Sequence, residues 1–60
     1  MTPVIFEDAQ INVTAEKPWR WIGEVVYKGF VYPTRPRRTQ SAARREAEKL
    51  AFTLGAKVKG

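Results

Sequence analysis

Cysteine and histidine are both absent from this 60-residue chain. Without cysteine no disulfide can support the fold, and without either residue no Cys/His metal site can form. A chain this short buries only about 60% of the surface that its unfolded form exposes, so its core is thin. We expect one small domain over residues 1–60, without cofactor or metal, held by a few large apolar side chains.

Long hydrophobic runs are missing as well. No stretch of the chain approaches the ~20 apolar residues that a membrane span needs. Residues 1–6 also lack the basic flank and the long apolar centre of a signal peptide. These absences predict that the protein has no membrane partner. We also expect a cytoplasmic monomer, associated with the nucleoid if it binds DNA.

The usual groups of a catalytic site are scarce. Ser41 has no histidine or other candidate base near it in the sequence, and the acidic pair Glu7-Asp8 stands alone, as is typical of a turn. The four glycines are scattered and form no phosphate-binding loop. The sequence therefore predicts that the protein is not an enzyme.

Charge is abundant but unevenly placed. Residues 1–16 carry a net charge of −3 and residues 17–60 carry +8, which gives +5 for the chain. The densest basic run, with no acid in it, contains Arg35, Arg37, Arg38, Arg44 and Arg45. Such an excess attracts polyanions, although it is equally typical of a solvated surface.

The last third of the chain has the pattern of an amphipathic helix over Gln40–Leu54. Thr39 or Ser41 can cap its start, and Gly55 suits a left-handed C-terminal cap. Phe52 lies off the apolar stripe, where it either covers a sheet edge or is exposed for a partner. The stripe is mostly alanine, which lets a helix approach a flat sheet closely, and consists of Ala43, Ala47, Leu50, Ala51 and Leu54.

Strand-forming residues precede the helix. Trp19–Tyr27 and Phe30–Arg35 are rich in aromatic and β-branched side chains and are joined by Lys28-Gly29, a two-residue turn. Gln10–Thr14 predicts another strand, and Val4–Phe6, within residues 1–9, is either a short extra strand or a tail packed on the core. The predicted fold is α+β, with a three-stranded antiparallel sheet packed on one C-terminal helix (β-β-β-α).

A two-residue turn fixes the register of the hairpin, and alternation then assigns the faces. On one face Arg20 opposes Arg37 and Ile22 opposes Arg35, and we expect this face to be open to solvent. Pro36 falls at a hydrogen-bonded position, so pairing should end near Arg35. The opposite face is expected to be the core under the helix and holds Trp21, Val25, Tyr27, Phe30 and Tyr32.

The open face predicts a DNA-binding site. Arginine pairs bidentately with phosphate and with guanine edges, and a small sheet can enter the major groove. Glu24 either accepts a hydrogen bond from cytosine or pairs across the strands. Trp19 either packs at the rim of the core or stacks on a base. The expected contacts are Arg20, Glu24, Lys28 at the hairpin tip, Arg35, Arg37 and Arg38, with Trp19, Arg44 and Arg45 as secondary ones.

Two stretches of the chain resemble a known family. Pro18-Trp19-Arg20-Trp21-Ile22-Gly23-Glu24-Val25 is similar to the Trp-Gly-(Arg/Lys)-Trp-Val-Ala-Glu-Ile segment of the plant ethylene-response-factor DNA-binding domain. Ala42-Ala43-Arg44, followed by Ala51-Phe52-Thr53-Leu54-Gly55-Ala56-Lys57, resembles that family's helix. The resemblance covers roughly Val13 to Lys57 and implies DNA contact by Arg20, Glu24, Arg35 and Arg37 on the sheet face opposite the helix. The first strand differs from the Arg-rich first strand of that family, because Ile11 to Glu16 contains no lysine or arginine.

Arm-type DNA-binding domains of phage and transposon integrases have the same fold. Arg38-Thr39-Gln40-Ser41-Ala42-Ala43 is similar to the segment that opens their helix. This resemblance, together with the small size of the chain, suggests an accessory or regulatory protein of a phage or mobile element.

Two alternatives to DNA binding stay open. Double-stranded-RNA-binding domains also end in a hairpin followed by a basic, alanine-rich helix like Ser41–Ala47, and Arg44 and Arg45 would then be the contacts. The other alternative is a protein-binding inhibitor or assembly module whose basic face meets an acidic protein surface, with Trp19 or Phe52 as its anchor.

Overall fold

Three antiparallel strands and one helix follow one another along the chain. In the computed structural model, which describes residues 4–59, β1 spans Ala9–Lys17, β2 spans Arg20–Tyr27 and β3 spans Phe30–Pro33. The strands form one sheet in the order β1-β2-β3, and helix α1 spans Gln40–Leu54. The β-β-β-α fold predicted from the sequence is therefore confirmed.

The β2–β3 hairpin has the register that its turn dictates. Lys28 and Gly29 have φ angles of 51° and 81°. Positive φ at both central residues gives a turn whose twist matches that of the flanking strands. Tyr27 pairs with Phe30 and Val25 pairs with Tyr32, as predicted.

Helix α1 has the predicted bounds because both of its ends are capped. At its start the Thr39 hydroxyl accepts a hydrogen bond from the N–H of Ala42, over 3.2 Å. At its end Gly55 has a φ of 90° and donates its N–H to the carbonyl of Phe52. Of the two N-caps that the sequence allowed, Thr39 is the one used.

The alanine stripe of α1 packs on β2 and β1 as predicted. Ala43, Ala47 and Ala51 are fully buried. A Cβ atom at Gly23, in the middle of β2, would lie 2.7 Å from the carbonyl oxygen of Ala43 and 3.1 Å from the Cβ of Ala47. The bare glycine therefore allows the first half of the helix to approach the sheet.

Three aromatic residues predicted for the core are not fully buried. Phe30 is 64% exposed, Trp21 is partly buried, and Tyr32 is partly buried and packs against the core. For the two residues on β3, Phe30 and Tyr32, the reason is the position of α1, which lies over β2 and β1 and leaves the edge strand β3 largely uncovered. The buried core cluster consists of Phe6, Val25, Tyr27, Ala47, Ala51 and Ala56.

Phe6 enters this core because the N-terminal segment pairs with the C-terminal one. Phe6 and Val58 form an isolated antiparallel bridge, with hydrogen bonds of 2.8 Å from the N–H of Glu7 to the carbonyl of Lys57 and from the N–H of Lys59 to that of Ile5. The segment thus both pairs as a short strand and packs on the core. Residues 1–3 of the predicted tail lie outside the described residues.

The acidic pair near the N-terminus also helps to hold the N-terminal segment against the C-terminal one. Asp8 accepts a hydrogen bond of 2.8 Å from the N–H of Lys57. Glu7 and Asp8 themselves form a bend ahead of β1, in agreement with the turn predicted for this pair. Within residues 4–59, no helix is long and apolar enough to cross a membrane.

Candidate nucleic-acid interface

The chain leaves β3 through an irregularity that decides where the arginines lie. The N–H of Thr34 bonds to the carbonyl of Gly23 over 2.8 Å, which continues the hairpin register. The next bridge joins Trp21 to Arg37, through two 2.7 Å hydrogen bonds. Two residues therefore intervene on one strand where a single residue intervenes on the other, as in a β-bulge.

Proline explains the irregularity. The regular register would place Pro36 opposite Trp21 at a hydrogen-bonded position, but proline has no N–H to donate. With one extra residue in the strand, Arg37 takes that position and supplies the N–H that Trp21 accepts. Pairing thus resumes beyond Arg35, where the sequence predicted that it would end.

The shift moves Arg37 to the other face of the sheet, because adding one residue reverses the side on which the following side chains lie. Its guanidinium forms an ion pair with Glu46 of α1. The predicted pairing of Arg37 with Arg20 on the open face is therefore wrong.

Arg35 lies in the bulge beside Pro36 and does not form the regular pair with Ile22 that was predicted. It follows the end of β3 and is exposed, and it lines a shallow depression together with Glu46, Lys49 and Leu50 of α1. Of the three arginines predicted to lie side by side on the open face, Arg20 alone belongs to it.

Arg20 and Glu24 do lie on the open face, and each has a polar partner. Arg20 is exposed and forms an ion pair with Glu16, with 2.6 Å between Nε and Oε1. Glu24 accepts a hydrogen bond of 3.3 Å from the side-chain amide of Asn12, its pairing partner on β1. The cross-strand interaction considered for Glu24 thus exists, as a hydrogen bond rather than an ion pair.

Sequence reasoning missed the contribution of β1 to this face. Gln10, Asn12 and Thr14 pair with Val26, Glu24 and Ile22, so they lie on the same side of the sheet as Arg20. The signal was present, since these polar residues alternate with Ile11 and Val13. The open face is therefore close to neutral rather than rich in arginine, and it mixes these polar side chains with Ile22, Val26 and Val31.

The cations gather instead at one end of the molecule, which we call the basic end: Arg20, Arg35, Arg37, Arg38 and Arg45. It consists of the start of β2, the connection from β3 to α1 and the first turns of the helix. Within the described part of the chain, Arg35, Arg38 and Arg45 have no ion-pair partner, and all three are exposed. This end therefore offers uncompensated positive charge beside the open face.

A concave surface at the basic end, which we call the arginine groove, has a volume of about 470 Å³. It lies where the turn before β2 meets the start of α1. Among the residues that the structure describes, no acidic one lines it. Its lining consists of Trp19, Arg20, Pro36, Arg37, Arg38, Thr39 and Ala42. Trp19 is 63% exposed, so it lies at the rim rather than in the core.

Two predicted contacts lie apart from the basic end. Lys28 is at the hairpin tip, roughly 26 Å from Arg20 at the usual rise of a strand, and its Nζ lies 5.3 Å from the ring centroid of Tyr27. Arg44 is partly buried and forms an ion pair of 3.3 Å with Glu48. The Arg44 Nε has no hydrogen-bond partner of good geometry among residues 4–59, so this contact is a charge pair without an aligned hydrogen bond.

Glu48 and Arg44 together hold the N-terminal segment against the helix. Glu48 accepts a hydrogen bond of 3.0 Å from the N–H of Val4, and a terminal nitrogen of Arg44 lies 3.5 Å from the carbonyl of the same residue. The fold thus uses Arg44, which the sequence offered as a secondary nucleic-acid contact, to position Val4.

Comparison of the chain with protein families, curated proteins and solved structures finds no match. The resemblance to the plant and integrase-arm domains rests on the residues quoted for it.

Proposed function

We propose that the protein binds duplex DNA, with the open face of its sheet in the major groove and the basic end on the flanking phosphates. The observation that supports this most directly is the concentration of three exposed arginines, Arg35, Arg38 and Arg45, which have no ion-pair partner among residues 4–59 and lie beside an uncovered sheet face. Positive charge beside a sheet face that carries Asn12, Glu24 and Arg20 suits an interface that is positioned by phosphates and made specific by base edges.

The width of the sheet is compatible with this placement. Strands lie about 4.8 Å apart, so β1 and β3 are separated by about 10 Å, and the major groove is about 12 Å wide. Asn12, Glu24 and Arg20 carry the groups that recognise adenine, cytosine and guanine edges in that groove. Their hydrogen bonds within the sheet hold them in place before DNA binds.

The division of roles differs from the one suggested by the sequence. Arg35, Arg37 and Arg38 are assigned to phosphates, because they lie at the edge of the sheet or beyond it. Base recognition is assigned to Arg20, Glu24 and Asn12. Lys28, at the far end of β2, would reach a different phosphate along the duplex.

The test is a titration of a fluorescein-labelled random-sequence duplex with the protein at several salt concentrations. With three to four phosphate contacts, log K should fall with log salt at a slope of about −3 to −4. The Arg35→Ala/Arg38→Ala variant should bind more weakly and lower this slope by about 2. Site selection from random duplexes would follow.

A matched control removes the same number of charges elsewhere. Lys57 and Lys59 lie beyond the end of α1, away from the basic end. The Lys57→Ala/Lys59→Ala variant should keep the slope and nearly all of the affinity. Equal losses for both variants would show that the binding is non-specific attraction to a basic protein.

Other ligands in the same titration distinguish the alternatives. Tighter binding to duplex RNA than to duplex DNA would place the interface at the start of the helix and on Arg45. Absence of binding to any nucleic acid at low salt would reject the proposal in favour of an acidic protein partner.

A further inference from the structure

We propose that the arginine groove holds one unpaired nucleotide at the end of a bound duplex, with the base stacked on Trp19 and its phosphate on Arg38. This inference rests on the proposed function and adds a preference for duplexes that carry a single-stranded overhang. It follows from the composition of the groove, from the state of its arginines and from its position.

The composition of the groove fits a nucleotide. Trp19 presents a large exposed indole beside Arg20, Arg37 and Arg38, with no carboxylate in the lining. Bases stack on aromatic side chains whatever their sequence, and guanidinium groups pair with phosphate. A volume of about 470 Å³ lies within the range of roughly 300–1,000 Å³ typical of sites for small ligands.

The arginines differ in a way that suits this ligand. Arg38 has no ion-pair partner within residues 4–59, so its whole guanidinium is available. Arg20 and Arg37 are each held by one carboxylate, of Glu16 and Glu46. A guanidinium has five N–H donors, so a side chain fixed by one carboxylate can still donate to a phosphate.

The position of the groove links it to the open face. Trp19 and Arg20 stand at the turn where β2 begins, and Arg20 also belongs to the open face. A duplex lying on that face and ending near Arg20 would direct its overhanging strand over Trp19. The next Trp in the chain, Trp21, lies on the helix side of the sheet and is partly buried, so it cannot play the same part.

The experiment compares one labelled duplex in four forms: blunt, with a two-nucleotide 5′ overhang, with a two-nucleotide 3′ overhang, and with abasic overhangs. One of the two base-containing overhangs should bind about tenfold more tightly than the blunt duplex, as expected for stacking of one base. The abasic overhang should lose this gain. The polarity of the preferred overhang would give the direction of the strand in the groove.

Two variants make the test specific. Trp19→Ala should remove the overhang preference, so that the blunt and overhanging duplexes bind this variant with equal affinity. Phe30→Ala, which removes an aromatic ring of nearly equal exposure at the other end of the sheet, should keep the preference. A third variant, Trp21→Phe, leaves Trp19 as the one remaining tryptophan. The fluorescence of Trp19 should then be quenched by the overhanging duplex but not by the blunt duplex.

Failure of this inference is distinct from failure of the proposed function. Equal affinity for blunt and overhanging duplexes would overturn the nucleotide site while duplex binding stands. A Trp19→Ala variant that weakens all four forms equally would overturn it too. Absence of binding to every form would reject both proposals.

Discussion

The two ends of this small domain are built differently. At the basic end the chain runs through a bulge and two prolines, and its contacts are exposed ion pairs such as Arg37–Glu46. At the opposite end, which we call the apolar end, Phe6 and Val58 pair, and the rings of Phe6 and Phe52 meet edge to face at 5.2 Å. The apolar end joins the N-terminal segment to the C-terminal one, whereas the basic end holds arginines that have no ion-pair partner among the described residues.

This contrast suggests a division of labour between stability and binding. Burial of apolar surface contributes most to the stability of so small a domain, whereas exposed ion pairs contribute little. Substitutions at the apolar end should therefore unfold the protein, and those at the basic end should mainly alter binding. The following predictions examine this contrast in order of decreasing effect.

The largest effect is expected at Phe6. Replacing a buried phenylalanine with alanine costs about 3–5 kcal/mol, and a domain of this length is stable by only about 3–9 kcal/mol at the usual value per residue. Phe6→Ala should therefore leave much of the protein unfolded in a urea titration. Phe52→Ala is the matched control, since that ring is 52% exposed. Equal losses for the two variants would contradict the assignment of Phe6 to the core.

Gly23→Ala should have the next largest effect. The added methyl group would meet the backbone carbonyl of Ala43 at 2.7 Å, so α1 would have to move away from β2. Overpacking of this kind costs about 1–3 kcal/mol. Thermal unfolding followed by circular dichroism would measure the loss. An unchanged midpoint would mean that the helix does not depend on close approach to Gly23.

Thr39→Ala should cost about 1 kcal/mol, the usual value for loss of an N-cap. The helix would lose the acceptor for the N–H of Ala42. Ser41→Ala is the matched control, because Ser41 lies inside the helix rather than at its cap, and it should be close to neutral. Urea titrations would measure the stability of both variants. A greater loss of stability for Ser41→Ala than for Thr39→Ala would contradict the assignment of Thr39 as the N-cap.

The smallest effect on stability is expected for Arg37→Ala. Its ion pair with Glu46 is exposed, and such pairs contribute about 0.2–1 kcal/mol. A double-mutant cycle with Glu46→Gln, measured at low and high salt, would isolate the coupling between the two side chains. The coupling should shrink as salt is added. A coupling above about 2 kcal/mol would show that the basic end also stabilises the fold.

Much of the fold could be predicted because its signals are local. Lys28-Gly29 specifies a tight turn, Thr39 and Gly55 specify the ends of the helix, and alternation places Val25 and Tyr27 on the buried face. Each of these depends on a few neighbouring residues. Phe30 was misplaced because alternation gives the face of a residue but not the extent to which the helix covers that face.

The candidate site was less predictable because it depends on pairing across the sheet. Arg20 and Glu24 lie on the open face as the register predicted. Arg37 does not lie on that face. The position opposite Trp21 requires a backbone N–H, which Pro36 lacks, so Arg37 takes that position instead. The role of Arg44 could not be predicted either, because its contacts with Glu48 and Val4 join residues up to 40 positions apart in the sequence.

The sequence by itself thus determined the elements of this protein, their order, the hairpin register and the excess of positive charge in residues 17–60. Only the tertiary structure decided which cations stay unpaired and on which surface they lie. The physical reason is that turns, caps and alternation act within a few residues. The position of a charged side chain depends instead on backbone hydrogen bonds and carboxylates supplied by distant strands and by the helix.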